Sequence, residues 1–134
     1  MPANRLTVLV VDDEPDVRWA LEALLQGEGY TVAAVASGTE ALEWLKQPQA
    51  ACHLILVDAK LPDIEGLDLA SRIRTETACI APMILVSGYF YKNSGSVQEA
   101  LRTGLIRAFI TKPFRHEEML NVIHEVLSVE QVLH

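Results

Sequence analysis

Val8-Leu9-Val10-Val11-Asp12-Asp13-Glu14 decides the fold, because an unbroken apolar run ends abruptly in three acids. With residue 6 included, the run covers residues 6–11 and predicts a strand buried on both faces, as in a parallel sheet covered by helices. Pro15 suits a first helical turn, and Val17, Leu21, Leu24 and Leu25 follow at i, i+4, i+7 and i+8. Gly27 and Gly29 stop that helix.

The same strand–helix unit recurs outward from this opening. Residues 31–36 form a weaker, β-branched and alanine-rich strand. Ser37 then caps a short helix carrying Ala41, Leu42 and Leu45, which Pro48 ends. Residues 54–57 are a third strand closing on Asp58, and after a turn at 61–66 the segment 67–74 puts Leu67, Ala70 and Ile73 on a helical stripe. Pro82 can open a fourth strand, 83–86, because a first strand position needs no ladder donor; Ser87 closes it. Residues 88–96, rich in Gly, Ser, Tyr and Asn, read as a loop. A short helix over 97–103 ends at Gly104, residues 108–111 are a fifth strand, and a last helix spans about 116–128. Five such units predict one α/β domain, a doubly wound sheet with right-handed crossovers and a core over about 6–128 of the 134 residues.

Composition narrows the function. Half of the residues are hydrophobic and the formal net charge is −7, which argues against a surface built to coat nucleic acid or an anionic membrane. No apolar stretch approaches the length of a membrane span, and the opening residues carry no signal-peptide pattern. Cys52 and Cys79 have no metal-ligand spacing and read as buried free thiols in a reducing cytoplasm. His53, His116, His124 and His134 likewise lack a metal pattern. Tyr89, Phe90 and Tyr91 read as packing against their own loop, with a contact patch as the alternative.

The chemistry collects at strand ends. Asp12 and Asp13 follow the first strand, Asp58 the third, Ser87 the fourth and Lys112 the fifth. Ligands of an open α/β sheet bind outside the carboxyl ends of the strands, at the switch in strand order, so these residues are expected to converge. Three crowded carboxylates repel one another. A hard divalent cation such as Mg²⁺ relieves that, taking one or two carboxylates together with water and phosphate oxygens. Lys112 supplies a compact opposing charge and Ser87 a hydroxyl donor. A carboxylate nucleophile, a metal and donors for developing charge suit an in-line transfer. Solvated loop carboxylates and helix caps are the bland reading of the acids, half-buried core that of Phe109.

Four segments carry a family resemblance. Residues 8–14 resemble the opening of response-regulator receiver domains, and Asp58-Ala59-Lys60-Leu61-Pro62-Asp63-Ile64-Glu65-Gly66 is similar to their phosphorylation loop. Ser87-Gly88-Tyr89 resembles the switch site, and Phe109-Ile110-Thr111-Lys112-Pro113-Phe114 the closing aromatic and Lys-Pro. The resemblance implies a (βα)5 flavodoxin-like three-layer sandwich with a parallel sheet of order 2-1-3-4-5. It implies a phosphorelay function: Asp58 accepts a phosphoryl group from a histidine kinase or a histidine phosphotransfer domain. By the same resemblance Asp13 binds Mg²⁺ (or Mn²⁺) directly and Asp12 through water, while Asp58 and the Lys60 carbonyl complete the protein ligands. Ser87 and Lys112 hold phosphoryl oxygens, and Phe109 turns inward, remodelling a helix 4–strand 5–helix 5 face for a downstream protein. The Lys112–Pro113 bond is commonly cis in the family.

The implied chain is a cytoplasmic signalling phosphoacceptor rather than an enzyme, assisting its own phosphorylation and dephosphorylation, with no direct nucleic-acid contact and with homodimers left open. Ser87 and Lys112 lie 25 positions apart, a few more than is usual, which puts partner choice in question. Residues 106–109 resemble receivers attached to hybrid sensor kinases. Two other classes compete. A pseudo-receiver acting only as an interaction module is disfavoured by the full set of acidic, hydroxyl and lysine positions. An aspartyl-phosphate phosphohydrolase is disfavoured because the place of its second acid holds Lys60.

Overall fold

In a computed structural model that describes residues 5–48, 50–88 and 94–132, five strands alternate with five helices. The order is β1 Thr7–Val11, α1 Pro15–Gly27, β2 Thr31–Val35, α2 Gly38–Leu45, β3 Leu54–Asp58, α3 Gly66–Glu76, β4 Met83–Ser87, α4 Gly95–Thr103, β5 Ala108–Thr111 and α5 His116–Val132. All pairings are parallel and the sheet order is β2-β1-β3-β4-β5. The sequence-predicted doubly wound flavodoxin-like order is therefore what forms.

Strand composition explains the layering. β1, β3 and β4 lie inside the sheet, and their residues from Val8, Leu54 and Met83 onward are buried almost completely. Alternate side chains of a strand point to opposite faces. Leu9, Val11, Ile55, Val57, Met83 and Leu85 enter one apolar cluster with α2, α3 and α4 residues such as Leu42, Leu69, Ile73 and Val97. Val8, Val10, Leu54, Leu56, Ile84 and Val86 enter the other, with Leu21, Leu25, Met119 and Ile123 of α1 and α5. β2 is an edge and only half-buried, as its weaker sequence suggests.

Boundaries moved where side chains act on the backbone. The loop expected over 88–96 stops sooner, because Ser94 caps α4 by accepting a hydrogen bond from Val97 N at 3.2 Å, which makes Gly95 and Ser96 helical. Gly104 ends that helix at φ 83°, a left-handed position that favours glycine. Ser37 caps α2 as expected. The stretch Tyr89, Phe90 and Tyr91 lies outside the described residues. Among the described residues no helix is long and apolar enough to cross a membrane.

Candidate functional site

The switch in strand order falls at β1, between β2 and β3, and the site is built at the carboxyl ends beside it. The sheet itself positions the reacting groups. Asp58 and Ser87 are the last residues of β3 and β4 rather than residues just beyond them. The ladder continues past each strand end: Asp12 N donates to Val35 O at 3.1 Å, Ala59 N to Val86 O at 2.9 Å and Lys112 N to Ser87 O at 2.6 Å. Residues far apart in sequence thus share one rigid rim.

Asp12, Asp58 and Ser87 are the buried polar residues of the described chain, at 3%, 7% and 2% exposure, and all three stand at this rim. Lys112 Nζ lies 3.0 Å from Asp12 Oδ2, 3.1 Å from Glu14 Oε1 and 3.4 Å from Asp58 Oδ2. One ammonium faces three carboxylates, so the pocket keeps an excess of negative charge. Asp58 shows the consequence. Burial first, then the charge of Asp12, pushes its carboxyl up to about 6, against the opposing pull of Lys112 and the Lys60 N–H. Burial disfavours the Lys112 ammonium, yet its hydrogen bond and attraction to Asp12, with Asp58 and Glu14, raise its pKa overall.

Glu14 is the residue that sequence reasoning missed. Among the described residues, carboxylate oxygens of Asp12, Glu14 and Asp58 lie within 4.8 Å of one another, a separation one cation can bridge. Asp13 is exposed and outside that group. Period-2 alternation was the available signal: chain that stays extended past β1 turns residues 12 and 14 to one side and 13 to the other. Glu14 is indeed extended, at φ −85° and ψ 115°, with no side-chain cap bond to α1. Its N–H donates to Asp12 Oδ1 at 2.9 Å, and Arg18 Nη1 donates to the Asp12 carbonyl at 2.8 Å, holding the turn.

The remaining predicted residues take these places. Lys60 is exposed, with its N–H rather than its side chain toward Asp58. Ser87 hydroxyl forms no hydrogen bond among the described residues, and Phe109 is half-buried against the cluster containing Val97 and Ile106. The Lys112–Pro113 bond is cis. Gly66 opens α3 so tightly against the rim that an added Cβ would stand 2.5 Å from Asp58 O and 2.8 Å from Ala59 Cα, both unyielding backbone atoms. Asp63 accepts hydrogen bonds from Gly38 N at 3.0 Å, Thr39 N at 2.9 Å and Thr39 Oγ1 at 2.7 Å, lashing the loop after Asp58 to the start of α2.

A buried strand-end aspartate, acids that follow the neighbouring strand and a lysine that follows the edge strand meet in one acidic pocket. The chain matches the response regulator receiver domain over residues 8–124 and belongs to that family. It is 33% identical over 123 residues to the transcriptional regulatory protein CitT of Halalkalibacterium halodurans, covering 90% of this chain and 50% of that protein. It is 32% identical over 122 residues to the sensor kinase CckA of Brucella abortus, covering 91% of this chain and 12% of that kinase. Among solved structures, the response regulator protein TrrA of Thermotoga maritima, in complex with Mg²⁺-BeF, aligns with TM-score 0.75 and 31% identity over 91% of this chain and 99% of that one. The chain spans about half or less of the length of the curated relatives it matches.

Proposed function

We propose that Asp58 is the phosphoacceptor of a phosphorelay, taking its phosphoryl group from the phosphohistidine of a histidine kinase or a phosphotransfer domain. The observation that carries this reading is the position of Asp58, buried at the end of β3 with Asp12 beside it and Lys112 Nζ 3.4 Å from its Oδ2. A carboxyl with pKa near 6 is mostly ionised at neutral pH, which is the nucleophilic form. Its oxygen attacks phosphorus, the P–N bond to the donor imidazole breaks, and an acyl phosphate forms on Asp58. Lys112 then exchanges carboxylate contacts for a phosphoryl oxygen, and the buried Ser87 hydroxyl, which has no partner among the described residues, donates to another.

The donor set fits a divalent cation, because three carboxylates within 4.8 Å of one another carry more negative charge than Lys112 offsets. Asp12, Asp58 and either Glu14 or a rotated Asp13 would hold Mg²⁺ or Mn²⁺, with the Lys60 carbonyl. Such an ion neutralises charge on the transferring group. Phe109 and the α4–β5–α5 face carry the output to a downstream protein in the cytoplasm, and the chain acts as a signalling phosphoacceptor rather than as an enzyme with an external product.

The test is covalent labelling by acetyl phosphate with Mg²⁺, read by intact mass. The wild type gains one phosphoryl group and Asp58→Asn gains none. Labelling that persists in Asp58→Asn overturns the assignment. Absence of any labelling of the wild type, together with no Mg²⁺ binding at millimolar concentration, would return the chain to an interaction module.

A further inference from the structure

The opposite end of the sheet holds a second reactive pair. Cys52 lies just before β3 and Cys79 before β4, and these strands pair side by side with Ile55 opposite Met83. The two thiols are close enough to perturb each other's ionisation. Neither is buried as expected from the sequence; both are half-buried and free. They line an open cavity of about 480 Å³ together with Leu45, Pro48, Thr77 and Ile80. Peroxide-sized molecules therefore reach the sulfurs from solvent.

The surroundings distinguish the two sulfurs. Cys52 Sγ donates its proton to Leu54 O at 3.3 Å. Cys79 is flanked by Arg74, whose Nη1 donates to Cys79 O at 3.2 Å and Nη2 to Ala81 O at 2.7 Å, bringing a positive charge beside it. Lys46 and Glu76 also line the cavity and pair at 3.6 Å, so neither adds a lone charge. The neighbouring Cys52 thiol, with the Ala81 backbone and Arg74 and against burial, lowers the Cys79 thiol, while the Cys52 thiol is pushed up.

We propose that Cys79 and Cys52 form a peroxide-oxidisable dithiol, with Cys79 the attacking sulfur and Cys52 the resolving one. The Cys79 thiolate attacks hydrogen peroxide: an S–O bond forms, the O–O bond breaks, and the departing hydroxide takes up a proton as water. Cys52 then attacks the sulfenic sulfur, an S–S bond forms, the S–O bond breaks, and hydroxide leaves with the Cys52 proton as a second water. Two thiols are oxidised to one disulfide and one peroxide is reduced to two waters. Ile55 pairs with Met83, so Cys52 and Cys79 stand one position out of step on the leads of neighbouring strands; such strands lie about 4.8 Å apart, and a disulfide spans roughly 4.4–6.8 Å between Cα atoms. Reversible disulfides of this kind are the ones a reducing compartment permits.

The experiment exposes the reduced full chain to hydrogen peroxide, then alkylates it with iodoacetamide and reads intact and peptide masses. The wild type is expected to lose both alkylatable thiols and two hydrogens of mass, with Cys52 and Cys79 in one linked peptide. Cys52→Ser stops at a sulfenic acid on Cys79 that dimedone captures. Cys79→Ser leaves Cys52 fully alkylatable. Wild-type protein that retains both thiols, or that links only between two chains, overturns the proposal, as does undiminished oxidation of Cys52 in Cys79→Ser. If either variant fails to fold by circular dichroism, the wild-type linkage map decides alone.

Discussion

The two ends of the sheet use the same strands for opposite electrostatic purposes. At the carboxyl end, Asp12, Glu14 and Asp58 crowd around Lys112 and leave negative charge uncompensated. At the amino end several of the described polar groups are paired. His53 Nδ1 accepts from Thr7 N at 3.0 Å, Arg74 donates to two carbonyls, and Cys52 Sγ donates to Leu54 O at 3.3 Å. The difference teaches that binding capacity lies where compensation is incomplete. One end is prepared for a cation and an anion to arrive; the other is already satisfied and reacts only by losing electrons.

Breaking the scaffold common to both ends should have the largest effect. Leu56 is 1% exposed in the middle of β3, so Leu56→Ala should cost about 2–5 kcal/mol in urea unfolding. Relieving the charge conflict should come next. Because the Asp58 carboxyl titrates near 6 in the folded protein instead of 3.8, its favourable share of stability is complete below about pH 4 and is lost as pH rises through 6. Asp58→Asn should therefore stabilise the Mg²⁺-free protein by roughly 2–3 kcal/mol at pH 7.5 and by almost nothing at pH 4, each pKa unit being worth about 1.4 kcal/mol. Removing the Lys112 ammonium sharpens the contrast. Lys112→Met should raise the Asp58 pKa further, seen by carboxyl NMR, and slow labelling by about tenfold to hundredfold. The smallest change concerns a helix start: Ser94→Ala removes the α4 cap and should cost about 1 kcal/mol in thermal unfolding.

Fold order was legible because each inner strand is a continuous apolar run and each helix carries a stripe, signals that survive without any tertiary information. Asp12, Asp58, Ser87 and Lys112 were legible as well, since strand ends of such a sheet must meet. Glu14 was not, because its direction depends on how residues 12–15 leave β1, a matter of a single extended residue before Pro15. The nearness of Cys52 and Cys79 around one cavity was equally hidden. Neither cysteine has a local partner, and only the β3–β4 register brings their leads together. The start of α4 was misjudged for a third reason: a Ser-Gly-Ser stretch has poor helix propensity, and one serine cap outweighs it.

The three hydrogen bonds from the start of α2 to Asp63 divide the molecule into a fixed and an adjustable part. With Gly66 wedged against the Asp58 carbonyl, they tie down both sides of the loop that follows the acceptor. Any rearrangement on phosphorylation is thereby channelled away from that loop and toward β4 and β5, where Ser87 ends one strand and Lys112 follows the other. Gly38 and Thr39 amide resonances should consequently serve as an internal standard, a quiet baseline against which the movement of the rest can be read.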